Sequence, residues 1–566
     1  SQLDAVELSQ EQKAIKKDFN KGRRELEHEF GKTMRYRSIR DLASEESGQV
    51  VLKLKPIWLM SPLSISDTLP LADGQFDVVI YDEASQIKLE EAVPTAYRAS
   101  QIIVVGDEMQ LPPTKFFSSS SGSDEVLNIE DGGEVIEYDL GAESFLSHSA
   151  QNLPSTLLGW HYRSRHESLI SFSNNAFYNG DLLTIPDRRL GLAGAEAIRV
   201  TDGEQAGQHT DGLLARSISY HFLEHGVYDN RRNLPEAEYI ARTVKSLLER
   251  DTGMTIGIVA FSEAQQDEIE LALSRLARLH EDFGNLLAAE YEREEDGQFC
   301  GLFVKNLENV QGDERDIILL SICYAPDHNG KMRMNFGPIN QSGGEKRLNV
   351  IFSRARLHMV IVSSIHHHQI TNEYNDGANC LKGFLEYSAA ISRGDAETAS
   401  RVLTSLDKRE RFADVSEAGL LAVKQQIADQ VEARGLAVVW DVGQSRFTVD
   451  LAISEPGSEF HRVAVLIDGD EHYAVRDPLE RYIQRPRILR AFGWVVIEVL
   501  VKDWYHAPEE VLTKIERLVK DPDAGVAEET ADGDESEPGE NEMANVLKVA
   551  EPTEETTARR NVRYSG

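Results

Sequence analysis

Two adjacent carboxylates, Asp82 and Glu83, follow a short apolar run in the sequence FDVVIYDEASQ, residues 76–86. An apolar, β-branched run of this length predicts a buried parallel strand. The carboxyl end of such a strand is where an open α/β sheet places its ligand crevice. Asp82 can there hold Mg²⁺ directly or through water, and Glu83 can polarise an attacking water. Taken alone, the pair is equally compatible with a solvated acidic turn.

The next predicted strand runs into VVGDEMQLPPT, residues 104–114. The amide of Gln110, held rigid by Pro112 and Pro113, suits sensing of a γ-phosphate beside a metal ion. Two such segments in succession are far more specific than either alone. DEAS followed by GDEMQLPP resembles motifs II and III of superfamily 1 helicases.

Two further segments follow in the order of that family. LLGWHYRSRHESLISFSNNAFY, residues 157–178, resembles motif IV, which implies that Arg163 reaches the γ-phosphate from a second domain. NVQGDERDIILLS, residues 309–321, resembles motif V. This resemblance implies a tight backbone turn at Gly312 and a position near the nucleotide ribose for Glu314.

The last motif of the family is matched by RLNVIFSRARLHMVIVSS, residues 347–364. The resemblance to motif VI implies that Arg354 is the arginine finger and that Arg356 lies nearby. Positive charge must meet the negative charge that spreads over the phosphoryl group during transfer. The resemblance therefore implies ATP and Mg²⁺ as cofactors and a nucleic-acid partner, with DNA favoured over RNA.

The residues of these motifs are most similar to those of the nonsense-mediated-decay-like branch of the superfamily, including its bacterial members. In that branch WLMSPLSI, residues 58–65, corresponds to a loop that touches the nucleic-acid backbone. Ser61 and Ser64 are therefore candidates for phosphate contact. The alternative is that they only cap the end of a strand.

One departure from the family concerns the phosphate-binding loop. The sequence contains no Gly-x-x-x-x-Gly-Lys-Ser/Thr segment, and in Phe30-Gly31-Lys32-Thr33 the place of the first glycine is taken by Leu26. Without that loop, the backbone cradle and the lysine for the phosphates are missing. We expect the chain to be the C-terminal part of a longer helicase whose upstream segment supplies this Walker A loop, and to hydrolyse ATP poorly or not at all alone.

A third block resembles small PD-(D/E)xK nucleases of the very-short-patch-repair type. The matched segments are VGQSRFTVDLAIS (442–454), VAVLIDGDEHY (463–473) and LRAFGWVVIEVLVKDWY (489–505). The resemblance implies Asp450 and Asp468 as metal ligands. Leu466 stands where the family has an acidic residue, although Asp470 and Glu471 offer compensation. The block is thus either an active nuclease or a degenerate DNA-binding module.

These motifs require an α/β fold. We expect two RecA-like parallel-sheet domains, the first incomplete, then a restriction-endonuclease-like α/β domain and a disordered acidic tail. The apolar segments PIWLM (56–60), FDVVIY and QIIVVGD predict buried strands of the first domain. The predicted domains are a helical segment (1–50), the partial first RecA-like domain (51–150), the second (151–390), a linker (391–412), the nuclease-like domain (413–520) and the tail (521–566).

The 566 residues carry a formal net charge of −35, which at first disfavours a nucleic-acid partner. Residues 118–143, interpreted as an insertion or loop, and the tail together contribute −17 of this charge. A nucleic-acid site must therefore be a local patch. Three scattered cysteines give no disulfide framework, and no apolar run is long enough to span a bilayer or to form a signal peptide. These features predict a cytoplasmic protein without a membrane partner.

The preferred interpretation is an ATP-dependent DNA helicase or translocase with an appended nuclease-like domain, suited to DNA repair or to defence against foreign DNA. A helicase-like scaffold that binds nucleic acid without hydrolysis is a second interpretation, which the missing phosphate-binding loop favours. In a third, the C-terminal block is a Mg²⁺-dependent endonuclease that the motor delivers.

Overall fold

The computed structural model describes residues 10–44, 47–111, 126–131, 134–139, 144–189, 195–201, 206–341, 343–406, 418–469, 472–473 and 475–521. The chain divides into two compact units. The first contains residues 1–184 and 191–410, and the second contains residues 185–190 and 411–566. Among the described residues, no helix combines the length and the apolar character needed to cross a membrane. The predicted disordered tail lies outside the described residues, apart from Asp521.

The first unit is an α/β structure. Its described helices are α1 (Gln10–Phe30), α2 (Ile39–Ser44), α3 (Gly48–Leu54), α4 (Pro62–Thr68), α5 (Leu89–Ala96), α6 (Phe145–Asn152), α7 (Ser168–Phe177), α8 (Ala206–Leu214), α9 (Leu234–Glu249), α10 (Glu263–Leu279), α11 (Glu281–Tyr291), α12 (Gly344–Phe352), α13 (Asp376–Arg393) and α14 (Ala396–Leu406). Its described strands are β1 (Phe76–Tyr81), β2 (Ala99–Val104), β3 (Val126–Asp131), β4 (Glu134–Asp139), β5 (Ile198–Val200), β6 (Ile218–Leu223), β7 (Ile256–Ala260), β8 (Glu294–Glu295), β9 (Gln298–Phe299), β10 (Phe303–Asn306), β11 (Arg315–Ser321) and β12 (Ala355–Ser363).

A six-stranded parallel sheet in the order β10-β7-β11-β12-β6-β5 forms the centre of the second lobe of this unit, residues 153–406. Alternate residues of β11 enter different cores, with Ile317 and Leu319 on one face and Ile318 and Leu320 on the other. Both faces are covered by helices, so the central strands β7, β11 and β12 contain apolar runs that are buried on both faces. This confirms the predicted parallel α/β fold for this part of the chain.

In the first lobe, residues 47–152, the parallel sheet has fewer strands and is more exposed to solvent than the sequence predicts. Its only parallel sheet among the described residues consists of β1 and β2. Ile80 of β1 is 65% exposed, so the prediction of two fully buried strands is wrong for this face of the sheet. The predicted strand at 56–60 is also wrong: these residues form no strand, and Leu59 is 93% exposed. An apolar run becomes a strand only where a neighbouring strand pairs with it.

Two other segments differ from the prediction. The acidic stretch 118–143, interpreted as an insertion or loop, includes two strands, β3 and β4, which pair antiparallel. Helix α14 lies in the predicted linker, but its Ala399 and Val402 are buried in the core of the six-stranded sheet. This part of the linker therefore belongs to the first unit. An amphipathic helix is charged on its outer face whether it packs or not, so the charge pattern alone was misleading.

The second unit is built on a four-stranded mixed sheet in the order β13-β14-β15-β16. Its strands are β13 (Ala437–Val442), β14 (Val449–Ser454), β15 (Val463–Ile467) and β16 (Val495–Val499), and its helices are α15 (Ala418–Ala433), α16 (Arg485–Ala491), α17 (Val501–His506) and α18 (Pro508–Lys520), with a π-helical turn at Glu480–Gln484 before α16. Strand β13 was not predicted. Residues 185–190 also belong here: the buried indole of Trp494 donates to the carbonyl of Pro186 at 3.1 Å.

Phe172 of α7 lies in a cluster of aromatic rings, with centroid distances of 5.6 Å to Phe352, 5.4 Å to Phe384 and 5.8 Å to Tyr387. We expect Phe172→Ala to lower the free energy of unfolding of the first unit by about 3–5 kcal/mol, because it leaves a cavity among these rings. Denaturant unfolding followed by circular dichroism measures the change. Tyr374→Ala, at a side chain that is 90% exposed, is the control. A loss no larger than that of the control would contradict this packing.

Candidate active site

The acidic pair lies directly after β1. The buried Tyr81 anchors the end of this strand, since its hydroxyl donates to the carbonyl of Ala92 in α5 at 2.7 Å. Asp82 and Glu83 then emerge into solvent. Glu83 has a φ of 52°, in the left-handed region that costs a non-glycine residue about 1–2 kcal/mol. The Asp82 carboxylate accepts the backbone N–H of Glu83 at 2.9 Å, which stabilises the turn. Backbone strain of this kind is concentrated at functional sites.

Gln110 lies in the turn that follows β2. Its amide nitrogen donates to Asp107 Oδ2 at 2.9 Å, and Asp107 Oδ1 accepts the backbone N–H of Met109 at 2.8 Å. Asp107 therefore holds the amide in place. The sequence reasoning assigned this task to Pro112 and Pro113, which lie outside the described residues.

Gln311 of the second lobe lies against both segments of the first. Its amide nitrogen is 3.4 Å from Glu83 Oε2 and 3.4 Å from Gln110 Oε1. The next residue, Gly312, has a φ of 86°, and a Cβ there would meet nothing within 4 Å. The glycine is thus needed for the left-handed turn and not for space. This turn presents Gln311 to the acidic residue and the amide of the first lobe.

Arg163 and Glu314 form an ion pair, with 2.5 Å between Arg163 Nε and Glu314 Oε2. The two side chains are 38% and 40% exposed. The resemblance implied a place near the ribose for Glu314, and in the structure its carboxylate binds the Arg163 guanidinium. Glu314 therefore places a negative charge beside Arg163.

Arg354 follows the end of α12 and is buried, and its guanidinium is held by the last turn of that helix. Nε donates to the carbonyl of Val350 at 2.6 Å, and Nη2 donates to Ser353 Oγ at 3.1 Å. The pKa of Arg354 is lowered to about 10, chiefly by burial and also by the charge of Arg163, whereas Glu83 opposes this change. The side chain remains charged at neutral pH. Because these charges act on one another, Glu83 of the first lobe and both arginines of the second lobe share one electrostatic environment.

Four residues that the sequence reasoning missed join the lobes beside this site: Asp107, Tyr178, Lys346 and Asn349. Tyr178 donates its hydroxyl proton to Asp107 Oδ2 at 2.5 Å. Asn349 Nδ2 lies 2.9 Å from both the Tyr178 hydroxyl and the carbonyl of Met109, and Lys346 donates to a backbone carbonyl of the same turn at 2.7 Å. Asp107, Tyr178 and Asn349 lie within the segments that resemble the family motifs. This resemblance is the feature of the sequence that could have identified them.

The remaining candidates of the first unit lie elsewhere or have local partners. Arg356 Nε is 3.7 Å from Asp316 Oδ1. Ser61 caps the N-terminus of α4, because its hydroxyl accepts the backbone N–H of Ser64 at 3.1 Å. Both serines are exposed. Their contact with each other is a helix cap, which does not prevent either hydroxyl from meeting a phosphate.

In the second unit, Asp450 and Asp468 are both bound by groups of the protein. Asp450 Oδ2 accepts the backbone N–H of Ile467 at 2.8 Å, and Asp468 Oδ1 accepts that of Val501 at 2.5 Å. Tyr473 donates its hydroxyl to Asp468 Oδ2 at 3.1 Å. In the part of the chain that the structure describes, no three His, Cys, Asp or Glu side chains are grouped so as to hold a metal ion. Asp470 and Glu471 lie outside that part.

Comparison with protein families agrees with this division. Residues 2–118 match the family model AAA_11, and residues 142–366 match AAA_12, both described as an AAA domain. Residues 424–519 match a model described as REase_MTES_1575. The chain therefore carries helicase-type AAA domains and a C-terminal restriction-endonuclease-like domain, as the motifs indicated.

Related proteins are named as helicases. The chain is 29% identical to "Uncharacterized ATP-dependent helicase MG140" of Mycoplasma genitalium over 487 residues, which cover 82% of this chain and 39% of that protein. The homologue in Mycoplasma pneumoniae is 28% identical, with 82% and 38% covered. "Helicase sen1" of Schizosaccharomyces pombe is 23% identical, with 66% and 20% covered. The chain thus spans less than two fifths of the length of these relatives.

The Tyr178 hydroxyl can be tested by itself. Burial and the Asp107 carboxylate raise the pKa of Tyr178, so the hydroxyl stays protonated and donates. We expect Tyr178→Phe to lower the free energy of unfolding of the first unit by about 1–3 kcal/mol, since Asp107 and Asn349 each lose a partner. Denaturant unfolding measures this. Tyr97→Phe, at an exposed tyrosine, is the matched control, and an equal effect of the two variants would refute the contact.

Proposed function

We propose that this chain, with its helicase-type AAA domains and its restriction-endonuclease-like domain, is part of an ATP-dependent superfamily 1 helicase or translocase that acts on DNA. The observation that carries the proposal is the junction at Gln311. Its amide lies 3.4 Å from both Glu83 and Gln110 of the first lobe, within a lobe that also supplies Arg163 and Arg354. Carboxylates and guanidinium groups from opposite sides are the groups that phosphoryl transfer requires.

The side chains at this junction fit one end of a bound nucleotide. Bound ATP with Mg²⁺ would supply the transferable phosphoryl group. The exposed carboxylate of Asp82 suits the metal ion, and Glu83 suits the orientation of a water molecule. Gln110 is positioned to sense the γ-phosphate, and Arg163 and Arg354 to neutralise charge. Gly312, Glu314 and Arg356 are the further candidates for contact with the nucleotide.

The other end of the nucleotide has no counterpart in these 566 residues, which contain no phosphate-binding loop. Lys32 of the Gly-Lys-Thr sequence follows the C-terminus of α1, and its ammonium is 2.6 Å from Glu29 Oε2. A phosphate cradle needs the N-terminus of a helix, where free N–H groups point at the anion. The proposal therefore includes a Walker A loop that another polypeptide segment supplies.

DNA is the proposed partner, with Ser61 and Ser64 as candidate backbone contacts. The printed name of one relative combines a helicase with a nuclease: "DNA replication ATP-dependent helicase/nuclease dna2" of Schizosaccharomyces pombe, 26% identical over 307 residues, which cover 51% of this chain and 19% of that protein. A motor joined to a nuclease-like domain suits DNA repair or defence against foreign DNA. The competing scaffold function is favoured by the missing loop, and hydrolysis assays separate the two.

The role of Glu83 is tested in a polypeptide that joins this chain to its phosphate-binding loop. We expect DNA-stimulated ATP hydrolysis there, and we expect Glu83→Gln to lower kcat by about 10²–10⁴-fold, because the water loses its base. Glu90→Gln, an exposed position on α5, removes the same charge as a control. If Glu83→Gln keeps the full turnover, the assignment of the base is wrong. If the unaltered polypeptide shows no DNA-stimulated ATP hydrolysis, a scaffold that binds nucleic acid without hydrolysis is the better description of the function.

The ion pair of Arg163 and Glu314 gives a second test in the same polypeptide. If Glu314 positions Arg163, Glu314→Gln should lower kcat more than about tenfold while KM for ATP changes less than about threefold. A raised KM with unchanged kcat would instead assign Glu314 to the nucleotide. Glu249→Gln, which disrupts the surface ion pair of Glu249 with Lys245, is the matched control.

A further inference from the structure

The sheet of the second unit lacks the second carboxylate that a nuclease of the matched type would use. Leu451 of β14 is in register with Val465 of β15, so the preceding Asp450 lies beside Leu466. On the other side of β15, Leu466 is in register with Glu498 of β16. Glu498 does not complete a metal site, because the described residues of the chain contain no three-ligand group. The apolar side chain of Leu466 thus lies between Asp450 and Glu498 in the sheet.

A lysine provides positive charge at this place. The ammonium of Lys424 in α15 lies 2.7 Å from Asp450 Oδ1 and 2.8 Å from Asp441 Oδ1. The side chains of Lys424 and Asp450 are only 8% and 15% exposed. At these distances the ammonium forms an ion pair with each carboxylate, so its positive charge offsets the negative charge of Asp450.

The remaining oxygens of these acids are also engaged. Asp450 Oδ2 accepts a backbone N–H at 2.8 Å, and Asp468 accepts one backbone N–H and one hydroxyl. Mg²⁺ needs oxygen ligands in nearly ideal octahedral geometry. Lys424 contacts one oxygen of Asp450, and backbone N–H groups bind the other oxygen of Asp450 and one oxygen of Asp468. These oxygens therefore do not form a ligand set that fits a divalent cation.

An arginine-rich surface lies beside these acids. The segment 475–490 contains five arginines and two acidic residues, in a chain whose net charge is −35. We call this segment the arginine segment; its arginines are Arg476, Arg481, Arg485, Arg487 and Arg490. Arg476 and Arg487 are exposed. Arg481 lies over the rings of Tyr473 and Tyr482, at 5.1 and 4.8 Å.

Tyr473 connects the arginine segment to the acids. Its hydroxyl donates to Asp468 Oδ2 at 3.1 Å, and the guanidinium of Arg481 lies 5.1 Å from the centre of its ring. One side chain therefore contacts both one of the acids and an arginine of the segment. Arginines with neighbouring exposed aromatic rings are suited to phosphates and to stacked bases.

We propose that the second unit binds the phosphate backbone of nucleic acid through the arginine segment, without a divalent cation and without cutting it. Lys424 makes this possible in two ways. It takes the place of a metal ion at Asp450, and it removes the repulsion that Asp450 and Asp441 would exert on an approaching phosphate. The proposal does not depend on ATP hydrolysis by the first unit.

Binding is tested with the full 566-residue chain and a fluorescently labelled DNA duplex, without nucleotide and in excess EDTA. We expect Arg476→Ala/Arg487→Ala to raise Kd at least about tenfold and to reduce the slope of log K against log salt by about 2, one for each lost phosphate contact. The double variant Lys514→Ala/Lys520→Ala removes the same charge from exposed positions of α18. It should leave the Kd and the salt dependence of binding nearly unchanged. Equal effects of the two pairs would overturn the proposal.

Arg481→Gln provides a second variant at the centre of the segment, with thermal unfolding to verify the fold. It should weaken binding in the same way, and unchanged binding in a folded protein would contradict the assignment. Replacing EDTA with Mg²⁺ should not strengthen binding of the unaltered chain beyond about twofold. A metal-dependent gain that Asp450→Asn removes would overturn the metal-independent site.

Cleavage is tested with supercoiled plasmid and Mg²⁺ or Mn²⁺, again without nucleotide. We expect the unaltered chain to nick no faster than its Asp450→Asn variant. Nicking by the unaltered chain that Asp450→Asn abolishes would show an active nuclease and refute the proposal. Both assays omit ATP, so their outcome is separate from that of the hydrolysis experiments.

Discussion

The carboxylate of Asp107 connects the two lobes of the first unit. It accepts a backbone N–H and the Gln110 amide within its own turn, and it accepts the Tyr178 hydroxyl from the second lobe at 2.5 Å. The proposed sensor and the contact between lobes therefore share one acceptor. A ligand that displaces Gln110 also alters the bond to Tyr178. This is a direct physical route by which occupancy of the site can change how the lobes are held.

The local sequence predicts much of the fold, but only where the apolar pattern is compatible with a single secondary structure and a single degree of burial. Strand β11 contains an unbroken apolar run, residues 317–320, because both of its faces are buried, and such a run predicts a buried strand. PIWLM has the same character and forms no strand. The difference depends on neighbouring strands, which a local pattern does not contain. For the same reason, the sequence does not reveal that one face of β1 is exposed.

The candidate site shows a similar limit. Motif resemblance predicts which residues of the first unit carry charge, and Glu83, Arg163 and Arg354 do share one electrostatic environment. Their partners could not be predicted, because Asp107 and Tyr178 are 71 residues apart and meet only through tertiary structure. Lys424 lies on α15, and its contact with Asp450 depends on how this helix packs against the sheet. Hydrogen-bond partners require the packed structure.

The ion pair of Arg163 with Glu314 and that of Lys424 with Asp450 differ in how readily a ligand can replace one partner. Arg163 and Glu314 are 38% and 40% exposed, and such a pair contributes about 0–1 kcal/mol. A phosphate can therefore take the place of Glu314 at little cost. Lys424 and Asp450 are 8% and 15% exposed, and breaking a buried pair costs about 3–5 kcal/mol. A metal ion would have to expel the ammonium against that cost. Exposure thus favours ligand exchange in the first unit and opposes it in the second.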